Sequence, residues 1–212
     1  EYKVPTFTQN YFRVYASSTA LIPTDPWPAG AVDLGENTQV TAANAPPGNG
    51  DSLRLRMSLQ VATTTMLASS TAFALQYAPR VSTCGAIGFG SWSTLGAPGS
   101  GSTWRGVNTT PVDGTNLSTS TPAPGQLVLS VSDRAGTYGE SVPTPVNPFA
   151  TAVGEDVEYD WNIENNGAAT DTPYCFRMTK SDGSAFYDYA FYPTIRTAGY
   201  TAETDSWRWY DD

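Results

Sequence analysis

The chain has 212 residues, 40% of them hydrophobic and 12% aromatic, enough to build one sizeable core and to argue against global disorder. With 20 acidic residues against 11 basic ones its formal charge is −9, which repels phosphate backbones and anionic lipid and argues against nucleic acid and membrane insertion. Histidine is absent, so Ser-His-Asp and Cys-His nucleophile systems and every histidine-based metal site are closed.

The chain opens EYKVPTFTQNYFRVY, two extended pieces set head to tail: residues 2–8 and 10–16, with only Gln9 between them. The second piece places Phe12 and Val14 on one face, as a strand beside a core requires. A Pro-rich loop, PTDPWPAG, carries Trp27. In SLRLRMSLQV, Leu53, Leu55, Met57, Leu59 and Val61 alternate with Arg54, Arg56, Ser58 and Gln60, the pattern of a half-buried strand. A short helix over residues 63–70 is discouraged by their Thr content. AFALQYA then aligns Phe73, Leu75 and Tyr77.

Trp92 and Trp104 flank a Gly/Ser loop, and Asn108 and Asn116 each begin an N-x-[ST] triplet, an acceptor site for glycans if the chain is exported. QLVLSVSD aligns Leu127, Leu129 and Val131, and EDVEYDWNIEN aligns Val157, Tyr159, Trp161 and Ile163. TPYCFRMTK aligns Tyr174, Phe176 and Met178 against Cys175 and Arg177, and KSDGSAF predicts a hairpin turn at Asp182 and Gly183. Short alternating runs separated by Pro- and Gly-rich loops predict an all-β protein. Its fold class is a β-sandwich, immunoglobulin-like or jelly-roll, with extended N- and C-terminal segments.

Cys84 and Cys175 can be a reduced buried pair or a disulfide, and the acidic, Ser/Thr-rich β composition favours the disulfide and an oxidising compartment. Because Cys175 points away from Tyr174 and Phe176, a bridge is expected across the outside of a sheet. An inter-sheet bridge of immunoglobulin type ranks second. Carboxylate chemistry is what the inventory leaves: Asp156, Glu158 and Asp160 share one strand face, where three like charges need neutralising. Calcium is one means, making these three a candidate metal site, and solvation on an outer face is the other. No paired acids stand out for catalysis, and no enzyme is expected. Trp27, Trp92 and Trp104 are candidates for stacking on sugar rings.

Several pieces occur here in a fixed order: QNYFRVY, DLGENTQVTAAN, SLRLRMSLQV, AFALQYA, SWSTLGAPGSGSTWRG, LSVSDRAGTYGES, EYDWNIENNGAATDTPYCFRM and YPTI. In this the chain resembles an uncharacterised extracellular β-sandwich domain of large bacterial cell-surface proteins. The resemblance implies export, a sandwich and a Cys84 to Cys175 pairing, and no activity. It covers residues 9–198 and leaves residues 1–8 and 199–212 as additions.

Those additions carry the candidate contacts: Tyr2, Val4, Pro5 and Phe7 in front, Tyr200, Trp207, Trp209 and Tyr210 behind. The expectation is a subunit secreted with its signal peptide removed, whose first eight residues are a donor strand for a neighbouring copy. Such heterologous strand donation propagates into an extracellular, pilus-like filament. The alternative is a cell-surface adhesion or carbohydrate-binding module whose partners are surface glycans.

Overall fold

The structure, a computed structural model, describes residues 3–28, 34–118 and 133–199. The larger of its two sheets comprises β1 (Phe7–Ala16), β2 (Ser52–Val61), β5 (Trp104–Gly106), β6 (Arg134–Gly139), β7 (Asp156–Asn165) and β9 (Asp188–Tyr189). The smaller comprises β3 (Phe73–Pro79), β4 (Ser93–Thr94), β8 (Pro173–Lys180) and β10 (Thr194–Arg196). Their orders are β5-β7-β2-β1-β9, with β6 also beside β7, and β10-β8-β3-β4. The expected all-β sandwich is what the chain forms. The run with Leu127, Leu129 and Val131 lies outside the described residues.

Period-two alternation decides the core. Leu53, Leu55, Met57, Leu59 and Val61 of β2 and Val157, Tyr159, Trp161 and Ile163 of β7 face Phe73 and Leu75 of β3 and Phe176 and Met178 of β8, all fully buried. Residues 63–70 form no helix; Met66 instead bridges to Thr151. The turn at Asp182 and Gly183 forms, closed by a 2.9 Å bond from the Gly183 N–H to the Lys180 carbonyl. It does not make a hairpin, because the chain then crosses to the large sheet, where β9 runs parallel to β1.

The two extended pieces at the front are one strand with a bulge. Phe7 and Phe12 are an odd number of residues apart and would fall on opposite faces of a regular strand. Pairing of β1 with β2 steps from Gln9 opposite Leu59 to Tyr11 opposite Ser58, leaving Asn10 as the extra residue. That shift returns both rings to the core. The domain boundary expected between residues 8 and 9 thus falls inside a strand.

The outer face of the large sheet is roofed rather than solvated. Residues 17–21, 107–118 and 133–140 cross it, and Leu117, Ala135 and Tyr138 form a satellite apolar cluster there with Leu21 and Phe149. β6 approaches β7 closely because residue 136 is glycine: a Cβ there would sit 2.3 Å from the Glu158 carbonyl oxygen.

Candidate functional site

The acidic face of β7 meets the basic face of β2. Register sets Arg56 opposite Asp160 and Ser58 opposite Glu158, all buried beneath the roof. Arg54 donates to both oxygens of Asp160, at 3.1 and 2.6 Å, and its guanidinium lies 4.8 Å from the Tyr138 ring centre. Arg56 donates from Nε to Glu158 at 2.6 Å and from Nη1 to Asp160 at 3.3 Å. The solvated outer-face reading of these acids is therefore corrected: they are sealed in. Two guanidiniums supply the neutralising charge for which calcium was considered, and no group of three acidic or thiol side chains among the described residues is arranged to hold a metal.

Asp156 stands apart from those arginines. Asn10 donates to it at 2.7 Å, and burial together with the charge of Glu158 raises its pKa. Beside it, Asp133 is pushed up to about 9 by burial, a hydrogen bond shared with Glu158 and the charges of Glu158 and Asp156. This corner holds a proton at neutral pH, but under the roof it lies out of reach of a substrate.

The expected subunit contacts fare unevenly. Phe7 is fully buried in its own chain, its ring 5.1 Å from Phe73 and 5.4 Å from Phe186, so it is a core residue and not a free interface residue. Thr8 and Gln9 are paired on both sides, to β2 and to β9. Pro5 is half-buried, and Val4 is exposed. Tyr2, Tyr200, Trp207, Trp209 and Tyr210 lie outside the described residues. Asn108 and Asn116 are both exposed.

Cys84 and Cys175 are joined by a disulfide. It lies across the outer face of the small sheet, packed with Ala78 and Ile87 and covered by Trp92 and Tyr192, as the alternation of β8 anticipated. Of the tryptophans considered for sugar stacking, Trp104 is corrected to the core, where its ring meets Phe176 and Tyr174 edge-on. Trp27 is half-buried, packs on the core and donates from Nε1 to the Ala45 carbonyl at 3.0 Å. Trp92, also half-buried, lines an open groove.

This groove, shallow and of about 450 Å³, lies beside the disulfide and is lined by Gln76, Phe89, Trp92, Arg177, Asp182 and Ser184 among others. Behind Trp92 runs a ladder of rings: Trp92 stacks on Tyr192 at 6.0 Å and Tyr192 on Tyr189 at 5.0 Å. Arg177 projects from β8 into this ladder, its guanidinium carbon 4.3 Å from the Trp92 ring centre and under 6 Å from Phe89 and Tyr189. Opposite it in register, Gln76 of β3 accepts two bonds through Oε1, from Arg177 Nε at 2.9 Å and Nη2 at 2.8 Å. Phe89 is 70% exposed at the rim.

Alternation had placed Arg177 on the same face as Cys175, but Phe89, Tyr189 and Tyr192 went unnoticed. They come from a 3₁₀ turn, from the two-residue strand β9 and from a loop, all too short to show a period. The disulfide was the available signal, since it draws residues 84–92 onto the face that bears Arg177. Comparison with protein-family models, with curated proteins and with solved structures finds no match for this chain.

Proposed function

We propose that the chain is an exported, non-catalytic recognition module that binds carbohydrate in the groove on the outer face of its small sheet. The observation that carries this reading is the pairing of the exposed ring of Phe89 and the half-buried ring of Trp92 with hydrogen-bonding groups from Arg177, Asp182 and Ser184 along one groove. Flat rings accept the apolar face of a pyranose, and the polar rim orients its hydroxyls. Supporting export are the disulfide, which persists in oxidising surroundings, and the resemblance to cell-surface domains.

A glycan array on the purified chain tests it, with Trp92→Ala and Phe89→Ala as controls. Binding to a defined group of saccharides that both variants lose supports the reading; silence across the array retires it. Assembly by donation of residues 1–8 would draw Phe7 out of the core in which it is now buried, so it is the less economical reading.

A further inference from the structure

Resting on that reading, we infer that the groove selects saccharides bearing a carboxylate, of the uronic-acid class, and that Arg177 is the residue that recognises it. Among the described residues three arginines are more than nine-tenths buried: Arg54, Arg56 and Arg177. The first two are neutralised by Asp160 and Glu158. Arg177 forms an ion pair with no described carboxylate. A buried guanidinium lacking an anion is costly, and ring faces and one amide oxygen offset that cost only in part.

Burial accordingly lowers the Arg177 pKa. Gln76 occupies Nε and Nη2, while Nη1 has no hydrogen-bond partner among the described residues and belongs to a side chain that lines the groove. A ligand carboxylate placed there would complete the pair with a charge-assisted bond.

A saccharide fits better than an acidic peptide. Asp182 lies at the rim and would repel a second or third carboxylate, yet accepts readily from hydroxyls. Phe89, exposed at the rim, offers a flat face for a ring. The ligand thus presents one acidic group to the groove, with hydroxyls around it.

Isothermal titration of the whole chain with oligogalacturonate, its methyl ester, a neutral cello-oligosaccharide and acetyl-capped oligoglutamate tests this. The acid form should bind at least tenfold more tightly than the ester, with that ratio shrinking as salt is raised. Two variants should bring the ratio close to one: Arg177→Gln, and Gln76→Glu, which supplies an internal carboxylate to Arg177 and keeps the fold. The ester comparison requires no variant. Equal binding of acid and ester overturns the carboxylate assignment while leaving carbohydrate recognition standing. Binding of none of the saccharides overturns both. Oligoglutamate binding as tight as oligogalacturonate overturns it in favour of an acidic protein ligand.

Discussion

The side-chain carbonyl of Gln9 accepts a 2.7 Å hydrogen bond from the backbone N–H of Met178, joining the large sheet to the small one through the interior. Its amide donates to the Phe191 carbonyl, also at 2.7 Å. β10 pairs with β8 only as far as Cys175, so the edge of β8 beyond it lacks a strand partner. Gln9, with the Tyr189 hydroxyl donating to the Met178 carbonyl at 2.9 Å, supplies the missing ladder by side chain. Gln9→Leu keeps the volume and strands both partners. We expect a loss of about 2–3 kcal/mol in urea unfolding, the cost of buried groups left unpaired.

Phe7 distinguishes a core strand from a spare one. Phe7→Ala should cost about 3–5 kcal/mol, as removal of a buried ring does. Denaturant titration of the monomer measures it. A variant as stable as the parent would show that residues 7–9 are dispensable to their own domain and would return them to the pool of assembly contacts.

Asp133 should make stability depend on pH. Its pKa in the folded chain is about 9, against an ordinary value of 3.8. The folded state therefore retains a proton that the unfolded chain gives up, and the associated stability is whole below about pH 4. It declines as pH rises and is gone once pH passes about 9. Asp133→Asn should flatten the profile across that window and raise the melting temperature at pH 8 relative to the parent. Melting curves collected from pH 4 to 10 decide the matter; an unchanged slope in the variant would place the proton elsewhere.

Arg56→Met removes one of two cations from the buried network and leaves Glu158 without its principal partner. The expected cost is about 3–5 kcal/mol. Adding Glu158→Met should recover part of that loss, since the second change removes the stranded charge. A double variant worse than the sum of its parts would mean that Glu158 is held chiefly by other groups.

Alternation in the sequence exposed the strands and their core faces, because period two belongs to the backbone itself. It could not tell whether the opposite face meets water. Arg54 and Arg56 alternate in SLRLRMSLQV as Asp156, Glu158 and Asp160 do in EDVEYDWNIEN, and that complementarity was visible. The roof over them was not, since residues 107–118 lie in loops and β6 pairs with β7 as a short parallel strand broken by a register shift. The bulge at Asn10 was legible in principle from the odd spacing of Phe7 and Phe12. The groove was hardest: Gln76, Phe89 and Arg177 come from three separate stretches, brought together only by sheet pairing and the disulfide.

The bridge between Cys84 and Cys175 also governs how far the molecule can be stretched. Pulled from both ends, the chain carries the load through the bond itself, bypassing the residues between two cysteines that stand 91 apart in sequence. Those residues, on the order of 300 Å of extended polypeptide, stay hidden from the force until the sulfurs part. A tethered copy should therefore unravel to markedly shorter lengths in oxidising buffer than after thiol treatment, its give limited and reducible.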